Sequence, residues 1–169
     1  APGAQDGRAR LGAGAGAAAG IPHANVVDIH DRGPARTGLP YIVMELLRGE
    51  TLQDLIDTRG PLAPAYACEL FLQVLAGLSA AHAQGIVHCD LKPANVLLDT
   101  DFEPRLCDFG QSRLSCEQAP ALGTLFYMAP EQADLQACPD GRWDVCALGA
   151  VLYPLCCGAP PHRNARAEG

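Results

Sequence analysis

A chain of 169 residues with 49% hydrophobic side chains is sized for one folded domain and can bury a core. Nineteen acidic against 12 basic residues leave a net charge of −7, and the only lysine is Lys92, so no cationic patch offers itself to a nucleic-acid backbone. The 8 cysteines include no Cys-x-x-Cys pair and no histidine at zinc spacing, which reads as reduced thiols in a cytoplasmic setting, several of them buried at apolar positions of helices and strands.

Residues 1–20 are mostly Ala and Gly with Leu11 as the one large apolar side chain, a composition that cannot offset ordering entropy and predicts a low-complexity tail. The run Leu11 to Gly16 imitates a phosphate-binding glycine loop, but its third glycine is at the wrong offset and no strand precedes it. Two Val- and Ile-rich strands are predicted over Asn25 to His30 and Leu39 to Glu45, joined by a loop from Gly33 to Gly38. A short helix follows from Thr51 to Thr58, capped by Thr51, and Gly60-Pro61 breaks the chain. Pro64 to Gln84 reads as a long helix whose apolar residues Ala67, Leu70, Phe71, Val74, Leu75, Leu78 and Ala81 recur near 3.6 and mark one buried face; Gly85 ends it. His82 sits close to that face and is expected to pack rather than to bind a ligand.

Residues 88–113 carry the densest chemistry. Pro93 fixes a dihedral and removes a donor, so Asp90 to Asn95 is a shaped loop rather than a helix. Val96 to Leu98 and Arg105 to Cys107 are predicted to form a hairpin across the Asp99-Thr100-Asp101 turn, which brings Asn95 and Asp108 toward each other. The longest apolar run, Val145 to Cys157, is 13 residues and contains Gly149 and Pro154, too short to cross a bilayer; no membrane segment or signal peptide is expected.

The order His88-Cys-Asp90-Leu-Lys92-Pro-Ala-Asn95, then Asp108-Phe109-Gly110, then Ala129-Pro130-Glu131, resembles the eukaryotic-type serine/threonine protein kinases, with a composition like that of high-GC bacteria. The resemblance implies an α+β, protein-kinase-like fold that is incomplete: two strands and the hinge from the end of the small lobe, then a mainly helical large lobe up to its central helix. The domain reading is a tail over 1–20 and a partial kinase domain over 21–169.

That resemblance also implies roles. Asp90, Lys92 and Asn95 are the catalytic group: Asp90 orients the attacking hydroxyl, Lys92 meets the γ-phosphate, and a lysine two residues after the aspartate is typical of serine/threonine enzymes. Asn95 and Asp108 are hard oxygen ligands for Mg²⁺. Met44 is the gatekeeper, Glu45 to Leu47 the hinge, and Met44, Glu45, Leu47, Lys92, Leu97 and Asp108 are the implied ATP contacts. His88 packs under the Asp-Phe-Gly segment, Phe109 turns inward, Asp144 holds the catalytic-loop backbone, and Gly149 allows close packing in a central helix over Asp144 to Leu155. Protein substrates bearing Ser or Thr are the implied partners. Thr124 matches a threonine that supports the peptide platform.

Three departures qualify this picture. Cys89 stands where an arginine usually pairs with a phosphate on the activation segment, which holds Ser112 and Ser115, so no phosphate-driven switch is expected. Neither a strand lysine nor a glutamate before Glu45 is present to orient the α- and β-phosphates, which reads as a fragment, weakly folded and poorly active, of a longer kinase whose membrane anchor, if it has one, lies elsewhere. The alternatives are a pseudokinase or a nucleotide-binding scaffold without transfer. Pro154, inside the central helix, is expected to kink or end it.

Overall fold

The computed structural model describes residues 21–37, 39–109, 112–114, 125–134 and 136–158. The 1–20 tail, Ser115, Cys116 and Thr124 therefore lie outside the described residues.

Strand β1 (Ile29–Pro34) pairs antiparallel with β2 (Pro40–Met44), with Gly33 opposite Tyr41 and Ile29 opposite Met44. The first strand thus begins four residues later than the Val and Ile content predicts. The reason is a competing partner: Val27 N–H donates to the Leu106 carbonyl at 2.9 Å and Leu106 N–H to the Asn25 carbonyl at 2.8 Å. Asn25 to Val27 is thereby stitched to the second half of the chain before β1 starts, through an isolated parallel bridge between Val26 and Leu106.

Next come β3 (Gly49–Thr51) and helix α1 (Leu52–Arg59). Thr51 caps α1 through a reciprocal box: its hydroxyl accepts from Asp54 N–H at 3.1 Å while Asp54 accepts from Thr51 N–H at 3.0 Å. Gly60, at φ 74°, ends the helix in a conformation open to glycine. Helix α2 (Pro64–His82) starts with proline at its first position and buries Ala67, Leu70, Phe71, Val74, Leu78 and Ala81. Leu75, expected on that face, is 38% exposed, and Gly77 takes the place beside it. A Cβ on Gly77 would stand 2.8 Å from the Asn25 carbonyl oxygen, so the bare glycine is what lets the Asn25 turn lie against α2.

Strand β4 (Ile86–Val87) leads into the loop and a 3₁₀ turn (Pro93–Asn95); β5 (Val96–Asp99) and β6 (Pro104–Leu106) then form the expected hairpin, with Leu97 opposite Arg105. The sheet order is β3-β5-β6, and β4 pairs with the short β7 (Arg113–Leu114). A second 3₁₀ turn (Pro130–Ala133) precedes helix α3 (Gly141–Cys157), capped by Asp140.

Pro154 neither ends α3 nor stops it early: the helix runs three residues further, to Cys157. Placed in the last turn, proline costs one intrahelical bond at a point where carbonyls are about to lose partners anyway. Those carbonyls find others, since Gly158 N–H donates to Pro154 and Leu62 N–H to Leu155, both at 2.7 Å. A Cβ on Gly149 would meet nothing within 4 Å, so close packing is not its role. The core draws Leu70, Val74 and Leu78 of α2, Leu98 and Leu106 of the hairpin, and Val151 of α3 into one cluster. Helix α2 is also long and apolar enough to cross a membrane by length and composition, but the Ala67 to Ala81 face is packed in this core.

The cysteines correct the sequence reading. Of the seven described, only Cys89 is buried and Cys107 is half-buried, while Cys68, Cys138, Cys146, Cys156 and Cys157 are exposed.

Candidate active site

The loop between β4 and β5 is fixed from below by α3. The buried carboxylate of Asp144 accepts the backbone N–H of His88 at 2.8 Å and of Cys89 at 2.9 Å. Its Oδ2 also lies 2.8 Å from His82 Nε2, so His82 is the partner of a buried anion rather than a packed bystander. His88, fully buried, places its ring 4.6 Å from that of Phe109 and its Nε2 3.1 Å from the Cys107 carbonyl. Loop and Asp-Phe-Gly segment are thereby tied to one another, and Phe109 turns inward.

On this base Asp90, Lys92 and Asn95 meet directly. Lys92 Nζ is 2.8 Å from Asp90 Oδ2. Asn95 Nδ2 donates to the Asp90 carbonyl at 2.8 Å and reaches its carboxylate at 3.5 Å, which leaves the Asn95 side-chain oxygen turned away from Asp90. The 3₁₀ turn produces this closure, because Pro93 sets the turn and Asn95 N–H donates to the Lys92 carbonyl at 2.9 Å.

Asp108 reaches the same region from the far end of the hairpin. Cys107 N–H donates to the Asn95 carbonyl at 3.0 Å, and Asp108 takes φ 58°, a left-handed conformation that turns the chain sharply before Phe109. Asp108 and Met44 line one apolar cavity with Val27, Ile29, Ile42 and Phe109, and Cys107 is part of its wall. Burial, then the charge of Asp108, pushes the Cys107 thiol up to about 11, partly offset by Lys92. Cys107 thus lines the cavity while its backbone is bonded to Asn95.

The remaining expected residues are less gathered. Leu97 lies half-buried in β5, and Leu47 half-buried between β2 and β3. Glu45 turns its carboxylate away from the cavity with Met44: it accepts from Asp28 N–H at 2.8 Å and lies 3.5 Å from Arg105 Nη1. The Glu45 N–H is also taken, by the Asp28 carbonyl at 2.9 Å, which leaves the Glu45 carbonyl as the group not engaged by Asp28 or Arg105. The link from β2 to the β5-β6 hairpin was not visible in the sequence, where Glu45 and Arg105 stand 60 positions apart.

Also missed was Gln132, buried in the second 3₁₀ turn, whose Nε2 donates to the Cys89 carbonyl at 3.0 Å. A glutamine next to Glu131 in a polar stretch carries no signal of burial. Among the described residues no group of three or more His, Cys, Asp or Glu side chains forms a metal cluster. One amide oxygen and one carboxylate, Asn95 and Asp108, are nevertheless a donor pair suited to Mg²⁺, which keeps several non-protein ligands.

A two-strand edge, a hinge-like segment, a loop bearing Asp90, Lys92 and Asn95, and a buried Asp144 beneath it define a protein kinase catalytic domain. The protein kinase domain family matches residues 16–169, and the chain belongs to it. Among curated relatives, the chain is 39% identical over 153 residues to the serine/threonine-protein kinase PknB of Mycobacterium leprae, covering 85% of this chain and 24% of that one. It is similarly 39% identical over 154 residues to PknB of Mycolicibacterium smegmatis, again with 85% and 24% covered. A probable serine/threonine-protein kinase of Corynebacterium efficiens is 36% identical over 151 residues, with 83% and 23% covered. The chain thus spans about a quarter of the length of the curated relatives it matches.

Proposed function

We propose that the protein transfers the γ-phosphate of ATP to Ser or Thr hydroxyls of other proteins, in the cytoplasm. The observation that carries this is the contact of Asp90, Lys92 and Asn95 in one loop, beside a cavity that Asp108 and Met44 share. The apolar wall of Val27, Ile42 and Met44 suits a flat adenine ring; Glu45 to Leu47, which follows Met44 directly, and Leu97 of β5 are the further contacts the kinase resemblance implies.

Asp90 accepts the hydrogen of the incoming hydroxyl and aims its oxygen at phosphorus. In a loose transfer step this orientation counts for more than proton removal. Lys92, held by Asp90 until substrate arrives, supplies a point charge to the moving phosphoryl oxygens. Asn95 and Asp108 would hold Mg²⁺, which would supply neutralisation of charge on the phosphates. Asn95 has a second task, since its amide nitrogen fixes the Asp90 backbone.

A scaffold has no use for an aspartate, lysine and asparagine already in contact. Phosphoamino-acid analysis after incubation with γ-labelled Mg-ATP, on the longest form of the protein, tests the reading. Label on phosphoserine and phosphothreonine supports it; label on phosphotyrosine alone, or none in a folded protein, contradicts it.

A further inference from the structure

Cys89 is held in an unusual way. It adopts φ 68°, a left-handed conformation that non-glycine residues avoid, one position before Asp90. Its N–H is taken by Asp144 and its carbonyl by Gln132 Nε2, so the peptide leading to Asp90 is gripped from two elements distant in sequence. Gln132 is itself immobilised. It is 4% exposed, and its Oε1 accepts the Ala129 N–H at 2.9 Å. The amide orientation is unambiguous, because Ala129 requires an acceptor and Cys89 a donor. Around this bond, Val87, Cys89, Ala129 and Trp143 form a separate buried apolar cluster.

We infer that Gln132 is a positioning residue for phosphoryl transfer: a neutral strut that fastens the 129–133 turn to the catalytic loop and sets where Asp90 stands. The inference rests on the kinase reading above and deepens it. A salt bridge across this junction would depend on a charged or phosphorylated partner. The Gln132 bond and the apolar cluster carry no charge, so this junction is held by a neutral contact. Without the strut, the Cys89 carbonyl loses the donor that Gln132 supplies, and the left-handed residue relaxes and moves Asp90 relative to Lys92 and Asn95.

Two substitutions separate this role from packing. Gln132→Met keeps size and suits the apolar cluster but removes both hydrogen bonds. Gln132→Glu keeps the acceptor for Ala129 N–H and loses the donor to Cys89. In the longest form of the protein that transfers phosphate, both variants are expected to lower kcat about tenfold or more, since an ångström of misplacement costs up to roughly 10²-fold. KM for Mg-ATP should stay within about twofold, and hydrogen exchange at the Cys89 and Asp90 amides should accelerate.

Unchanged kcat in Gln132→Met, or unchanged exchange at Cys89 and Asp90 in that folded variant, overturns the strut; a protonated Gln132→Glu can still donate to Cys89. If the parent transfers no phosphate at all, the kinase reading falls, while the exchange comparison still decides whether Gln132 positions the loop.

Discussion

The carboxylate of Asp144 accepts the backbone N–H of Cys89 at 2.9 Å across 55 positions of sequence. The loop that carries Asp90 therefore takes its shape from α3, not only from its own residues. Asp144 is 1% exposed and receives three donors, two of them backbone. Asp144→Asn removes the charge and turns an NH₂ toward N–H groups that require an acceptor. Each charge-assisted bond contributes about 1.5–3 kcal/mol, so a loss of roughly 3 kcal/mol or more is expected in urea titrations. His82→Ala should cost less, about 1 kcal/mol, because that ring is partly solvated and water can replace it.

Two glycines are expected to respond in opposite directions. Gly77→Ala forces a methyl group against the Asn25 carbonyl and should destabilise by about 1–3 kcal/mol. Gly149→Ala meets open space within α3 and should stabilise by about 0.5–1 kcal/mol through helix propensity. Thermal midpoints of the two variants check the pair; equal shifts would mean that the Asn25 turn does not lie on α2.

Burial holds the Cys107 thiol protonated up to about 11, against an ordinary value of 9.0. Iodoacetamide at pH 8 should therefore label the exposed Cys68 and Cys138 well before Cys107, as peptide mass analysis would reveal. The sign for stability follows: the unfolded chain ionises this thiol first, so its contribution is intact below pH 9 and is lost as pH rises toward 11. A Cys107→Ala variant should lack that part of the alkaline decline in chemical denaturation.

At the other end of the scale, bonds from Arg142 hold the Asp140 carboxyl down to about 2. The lowered value means stability present above the ordinary carboxylate range and lost as pH falls through the folded value, so the window runs from about pH 4 to about pH 2. Asp140 also caps α3 by accepting Arg142 N–H at 2.8 Å. Asp140→Ala should cost about 1 kcal/mol at neutral pH, and the variant should show a shallower acid decline by circular dichroism.

The legible part of this protein was local. Capping of α1 by Thr51, the β5-β6 hairpin and the loop ending at Asn95 follow from neighbours within a few positions, and each formed as read. What the sequence concealed depends on distant partners. Val26 pairs with Leu106 and so delays β1; Asn25 leans on Gly77; Gln132 reaches Cys89; Glu45 turns to Arg105. The exposed cysteines follow the same logic, since an apolar letter on a helix says nothing of whether another element covers it.

The most direct measurement compares Asp90→Asn with Asp108→Asn in the longest form of the protein, following Mg-ATP binding by calorimetry and γ-phosphate transfer by label. Asp90→Asn should keep nucleotide binding and lose at least about 10²-fold in transfer, while Asp108→Asn should lose transfer together with the magnesium dependence of binding. Transfer that survives both substitutions undiminished would contradict the assignment of this loop and hairpin as the catalytic centre.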